Sequence, residues 1–331
     1  MRALSRLALA GSTALVACNA IVGFGDLERV TGATERPDDD SGDEPPERDA
    51  TPAGDAPSSD VTTGAACDPT RPFGTPVALE APVNSTSGEQ SATLTADELT
   101  IVFSRRVDLF NESILIATRP SRKDAFAAPT PIDGLMQGLP IEAVGVPAMT
   151  SDGLMLFFTG ESGDDADIYV ASRAVTSAPF ADPRRLTRLS SPQVEAYPAV
   201  MHDGAELWFT SERLGGITRH LFRSVRDAVG NYDTPTLVSE LRSSSNEAGV
   251  AFSPDGLTAY FGSQRPGGLG DSDVWVATRA SLQAAFGAPT HVPGLSSAGA
   301  DFPSWVSRDG CRIYLASDRA GSMDIFVASR P

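Results

Sequence analysis

Four acidic residues recur at one fixed offset along the chain. Glu89, Glu195, Glu247 and Asp301 each stand eight residues before the aspartate of a turn pair, while one repeat carries Val144 at that position. Carboxylates gathered in one place can hold a cation, a basic side chain or sugar hydroxyls. A like-charge cluster also raises one pKa toward the range of an acid catalyst. Glu195, Glu247 and Asp301 are therefore the catalytic candidates, and a hydrolytic pair among them would stand about 5 to 9.5 Å apart across a cleft. Ligand-binding candidates are these three with Glu89, Tyr197 and Trp305; Phe252 and Phe302 share the same segments. The regular spacing equally suits a duty inside each repeat, where the acid accepts backbone hydrogen bonds or pairs with an arginine. Arg213, Arg265 and Arg319 follow their turn aspartates by ten residues and Arg106 follows by nine, so partners are at hand.

Other chemistry is thinly represented. The loop ESGDDADI offers Asp164, Asp165 and Asp167 to a calcium ion, without the spacing of a helix-loop-helix site. His202, His220 and His291 lie in different repeats and form no HExxH or paired-thiolate pattern. No cofactor is implied beyond calcium at that loop. The glycine-rich loops LGGITRH, RPGGLGDSD and RAGSMD lack the setting of a phosphate loop and read as hairpin connections. A formal charge of −17 argues against a nucleic-acid surface.

The elements that carry these residues repeat. Asp97-Glu98, Asp152-Gly153, Asp203-Gly204, Asp255-Gly256 and Asp309-Gly310 are spaced 55, 51, 52 and 54 residues apart. Each turn is followed by a short aromatic or β-branched run (TIVFS, LMLFFT, ELWFT, TAYFG, RIYLA), a polar loop and a second run (SILIAT, DIYVAS, HLFRS, DVWVAT, DIFVAS). A further run lies upstream of each turn and a weaker one lies downstream of four. These read as strands, four to a unit, with Asp-Gly accepting the positive φ of a tight turn. Four-stranded units at this period predict an all-β fold, a β-propeller whose radial packing protects the sheet edges. The repeats run approximately 89–135, 144–192, 195–245, 247–299 and 301–331 within a domain of 67–331. The last copy lacks a fourth strand, and PFGTPVALEAPV at 72–83 is the donor that would close a five-bladed ring. A six-bladed ring and an open solenoid are the alternatives. Closure would bring Cys67 and Cys311 to one rim, as a disulfide or as two thiols.

The N-terminus has a processing pattern. MRALSR is basic, LALAGSTALVA is apolar and too short to span a bilayer, and LVAC at 15–18 resembles the lipobox of bacterial lipoproteins. That resemblance implies a signal peptide at 1–17, lipidation of Cys18 and, with Asn19 next, the outer membrane. The stretch 18–66 carries 12 acidic and 3 basic residues, is rich in proline and small residues, and reads as a disordered acidic tether.

FSPDGLTAYFGSQR, VSRDGCRIYLASDR and DIFVASR resemble the TolB-type, WD-like (PD40) propeller repeats of bacterial periplasmic and surface proteins, over residues 89–331 with 72–83 as closure. The first copy departs with Asp97-Glu98, and the second lacks the loop arginine. The resemblance implies a lipid-anchored envelope module, without catalysis, that binds a protein or a glycan. An enzyme of glycoside hydrolase or lactonase type, with carboxylates on the axis, is the alternative, and a structural surface lipoprotein is the third.

Overall fold

Each repeat folds into one antiparallel sheet. The computed structural model describes residues 67–107, 112–163 and 165–331; the signal peptide, Cys18, the tether and Asp164 lie outside the described residues. The first blade contains β2 (Glu89–Leu94), β3 (Thr100–Arg106), β4 (Glu112–Thr118) and β5 (Thr130–Pro131), after an N-terminal β1 (Val77–Ala78). The second contains β6 (Ala143–Met149), β7 (Met155–Ser162), β8 (Asp165–Ser172) and β9 (Ala181–Arg185). The third contains β10 (Glu195–Met201), β11 (Glu206–Ser211), β12 (His220–Val225) and β13 (Thr236–Leu237). The fourth contains β14 (Glu247–Phe252), β15 (Thr258–Ser263), β16 (Asp273–Thr278) and β17 (Thr290–His291). The fifth contains β18 (Asp301–Val306), β19 (Arg312–Ser317) and β20 (Asp324–Ser329), and β1 pairs with β20 as its outermost strand. The inner strands neighbour one another in the cyclic order β2, β6, β10, β14, β18 and back to β2. This is a closed five-bladed β-propeller, with no α-helix among the described residues.

The core follows from the aromatic runs. Across the middle strands of each blade Phe103 faces Leu115, Phe158 faces Tyr169, Phe209 faces Phe222, Phe261 faces Trp275 and Leu315 faces Phe326. All are buried. Such cross-strand pairs fill the wedge between blades, and burying each large side chain contributes about 1.5–3 kcal/mol.

Every inner strand also breaks register once, at the same level. The bulges fall between Gln90 and Thr93, Gly145 and Ala148, Ala196 and Ala199, Ala248 and Val250, and Pro303 and Trp305. In four blades the bulge places Ser91, Val146, Tyr197 or Gly249 at φ 50–56°. The fifth has Pro303 at the corresponding position, where the ring forbids positive φ, and its bulge sits one residue later.

Closure is fastened at several points. Only Val77–Ala78 of the expected closing segment forms a ladder. The remainder is held by Gly74 N–H to Ser329 O, Leu79 N–H to Ile325 O, and the Asn84 amide, which brackets Ile325. Cys67 and Cys311 are disulfide-bonded, with Cα atoms 5.9 Å apart. Glu98, which replaces glycine in the first turn, sits at φ 61° and reaches across the seam from the first blade to the fifth. Its buried carboxylate receives Arg312 Nε at 2.8 Å and Nη2 at 2.6 Å and lies near the Tyr314 hydroxyl. Burial and this carboxylate push the Tyr314 phenol up to about 12. The departure of the first repeat from Asp-Gly is thus an interblade lock.

Candidate functional site

The four recurrent acids do not form a common site. Each is fully buried at the start of its inner strand and is satisfied within or beside its own blade. Glu195 accepts from the Ser191 N–H and hydroxyl, the Ser211 hydroxyl and Arg213. Glu247 is bound by Ser243, Arg265 and His220 Nδ1, the last at 2.7 Å. Asp301 is bound by Ser297 and Arg319, and Glu89 by Ser85 and Arg105 at 2.7 Å. In the first blade the partner is Arg105 rather than the expected Arg106. The arginines also lie over core aromatics, as Arg213 does over Phe222 and Arg265 over Phe261, and each donates to a backbone carbonyl of the preceding loop. Serine, acid, serine and arginine therefore make one clamp repeated in the third, fourth and fifth blades, and in the first Arg105 itself takes the second serine's place in the ladder. Because the acids' oxygens are occupied and shielded, catalytic or ligand contact by Glu89, Glu195, Glu247 and Asp301 is corrected to a scaffold role. Burial nonetheless pushes the Glu195 carboxyl up, against the opposing pull of Ser191, Ser211 and Arg213.

The second blade lacks all four parts of the clamp. Pro140, Val144, Gly160 and Ser162 stand where the third, fourth and fifth blades have serine, acid, serine and arginine. Tyr169 fills the space over Gly160, and the Glu112 carboxylate from the first blade lies against Gly145, 2.6 Å from where a Cβ would be. Glu112 accepts from Gln90 at 2.5 Å, and burial, then the charge of Glu161, push it up to about 6.

Asp167 is ion-paired with Arg185 at 2.7 Å, and Asp165 pairs with Ser162 in the ladder. Among the described residues no group of three or more His, Cys, Asp or Glu side chains is placed to hold a metal. Asp167 is buried and holds Arg185 through Oδ2, while its Oδ1 has no hydrogen-bond partner among the described residues.

An open site lies at the end of the channel bordered by the aspartate turns. A cavity of about 310 Å³ is walled by Met149, Val200, Met201, Phe252, Trp305 and Val306. One layer deeper, where the five bulges converge, the space contracts to about 20 Å³ between Ser91, Val146, Tyr197, Gly249, Phe302 and Pro303. Trp305 and Phe252 thus line the cavity, whereas Tyr197 and Phe302 line its constricted floor. The rim is set by one repeat position. The residue immediately before each turn aspartate is Ala96, Ser151, His202, Pro254 or Arg308, and all five border the cavity.

The turns around this rim share a scaffold rule with one exception. Thr95, Thr150, Ser253 and Ser307 donate their hydroxyls to Asp97, Asp152, Asp255 and Asp309, and each carboxylate also accepts the N–H two residues on. The third repeat has Met201 in place of the hydroxyl residue. There His202 and Asp203 both take φ 51° ahead of Gly204, and the Asp203 carboxylate turns to Ser151 of the second blade. Consecutive left-handed non-glycine residues cost on the order of 1 kcal/mol each. The Met201 side chain packs into the core beside Arg279, and His202 stands exposed at the rim. Sequence reasoning singled out Trp305 but missed the rim. Its signal was present: the position before the turn aspartate changes chemistry in every copy, while the residues flanking that Xaa-Asp pair are Thr or Ser before it and Gly after it in four copies each.

Comparison with protein-family models and with curated proteins finds no match. Among solved structures the chain is similar to Zg3597, a family 117 glycoside hydrolase from Zobellia galactanivorans (TM-score 0.55, 11% identity, 78% of this chain and 90% of that one). It is likewise similar to a glycosyl hydrolase from Bacteroides ovatus (TM-score 0.52, 12% identity, 78% and 93%). TolB from Acinetobacter baumannii aligns with a TM-score of 0.42 at 19% identity over 74% of this chain, which spans 55% of that protein's length. At these identities the likeness is one of fold. The molecule is a five-bladed β-propeller with an amphipathic cavity at one end of its channel.

Proposed function

We propose that this protein is a non-catalytic binding module of the bacterial cell envelope, tethered to the outer membrane through Cys18 and engaging an envelope protein or glycan at the aspartate-turn mouth. The observation that carries this reading is the cavity itself. It is apolar in its walls, polar at its rim and narrowed at its floor, and its one carboxylate, Asp203, is held by Ser151. Pockets of this character select a ligand by apolar anchoring with a few directional polar contacts. The Cys67–Cys311 bond supports an oxidising compartment, and the lipobox resemblance supports the anchor. The test is mild crosslinking of intact cells, affinity recovery and mass spectrometry, comparing the native form with Trp305→Ala and Arg308→Glu, with Cys18→Ala as the unanchored control. A discrete adduct that the two mouth variants lose is expected; an adduct indifferent to both overturns the reading.

Glu112 favours a second reading. This carboxyl, raised by burial and by Glu161, lies at the opposite end of the sheets and has the protonation range of a general acid. Hydrolysis of aryl glycosides or lactones that is abolished by Glu112→Gln would establish an enzyme, and absence of turnover would remove it.

A further inference from the structure

Resting on the binding reading above, we infer that the cavity takes the C-terminal end of a polypeptide whose last residue has a large apolar side chain. Three observations converge on this chemistry. The first is the shape. The mouth holds about 310 Å³ and the adjoining space at the bulge layer, which shares Val250 and Ser304 with it, only about 20 Å³, a shape that suits an end group entering from the mouth. The volume sits at the low end of the roughly 300–1,000 Å³ typical of ligand pockets, enough for an end group rather than a folded surface.

The second is the lining. Phe252 and Trp305, both half-buried, form the apolar wall, backed by the core residues Met149 and Met201. Trp305 is held edge-on against Tyr314, with ring centroids 5.6 Å apart, so this face of the wall is fixed. The third is the rim charge. Arg308 and His202 border the opening, both exposed, and among the described residues neither side chain has a hydrogen-bond or ion-pair partner. They belong to the fifth and third blades, on either side of Pro254; the cavity's carboxylate, Asp203, is turned to Ser151 on the far side of His202, which leaves Arg308 as the cation of the rim. An arginine beside an apolar well matches a carboxylate beside an apolar side chain. A chain terminus carries the two on one residue, whereas an internal segment cannot enter a blind well without burying unpaired backbone groups.

The experiment titrates the full-length protein with acetylated hexapeptides ending in leucine, phenylalanine or methionine. Each is made as the free acid and as the carboxamide, with 4-phenylbutyrate as a small carboxylate, and binding is followed by Trp305 fluorescence and calorimetry. Saturable binding of the free acids is expected, with the carboxamides about tenfold weaker, the loss of one charge-assisted contact. Arg308→Gln should erase the difference between acid and amide, and Trp305→Ala should weaken both forms. Equal binding of acid and amide overturns the inference in favour of an internal segment. Binding of 4-phenylbutyrate as tight as that of the peptides overturns it in favour of a small-molecule carboxylate, and no saturable peptide binding overturns it outright. These failures differ from failure of the binding module itself. A mouth-dependent adduct in intact cells with no peptide response sinks only the terminus, whereas loss of both sinks the module.

Discussion

At the level of single residues, the recurrent carboxylates show how burial decides between chemistry and scaffold. Glu247 holds His220, Ser243 and Arg265 at once, and removing one partner of a buried ion pair leaves the others uncompensated. Glu247→Ala should therefore cost about 3–5 kcal/mol in urea denaturation, while any folded fraction keeps its affinity at the mouth. Unchanged stability with lost binding would return the acid to a functional role. Glu112 makes a different prediction. Its folded-state pKa of about 6 lies above its ordinary value of 4.5, so the folded state binds the extra proton between those values. Its contribution to stability is fully present below pH 4.5 and is lost as pH rises through about 6. Glu112→Gln should thus stabilise the protein at pH 7 by on the order of 1 kcal/mol and have little effect at pH 4. A variant less stable than the native form at pH 7, in paired thermal melts, would contradict the assignment. Offset alone made the acids visible in the sequence. Their fate was not visible, because the Ser191, Ser243 and Ser297 partners four residues earlier look like ordinary loop residues until the chain turns back on itself.

Among the elements, strands and turns were legible because each obeys a local rule: aromatic and β-branched runs for strands, Asp-Gly for turns, a missing last strand for closure. What eluded local rules was long-range. Glu98 looks like a flawed turn residue, yet Arg312, 214 positions away, explains it. Replacing it by glycine would relieve a left-handed backbone worth about 0.4–1 kcal/mol. The same change would remove the two hydrogen bonds that Arg312 donates to Glu98, each worth about 1.5–3 kcal/mol, and leave Arg312 with Asp309 alone. The second effect wins, so Glu98→Gly should lower the thermal midpoint; a raised midpoint would refute the interblade lock. The disulfide joins positions 244 residues apart across the same seam. Cys67→Ser should cost about 2–4 kcal/mol, read from the denaturant midpoint under oxidising conditions. No change there would mean that β1 and the Asn84 bracket close the ring unaided. The bulges escaped notice too, since neither Ser91 nor Val146 is a residue that advertises positive φ.

Across the whole molecule, scaffold and site separate by end. The clamps lie where the inner strands begin, and the turns and cavity lie where those strands end, with the bulge layer between them. The repeats keep strands, turns and bulges in common and vary the rim, which is why the architecture was readable from periodicity and the site was not. Periodicity reports what the copies share, and the cavity is built from what they do not. The most direct measurement places a photo-crosslinking amino acid in turn at Ala96, Ser151, His202, Pro254 and Arg308, and at Leu214, Ile217 and Leu269, exposed in or near loops at the other end, in intact cells. The account predicts one discrete adduct formed from the rim positions and none from the opposite loops; adducts from those loops alone would contradict it.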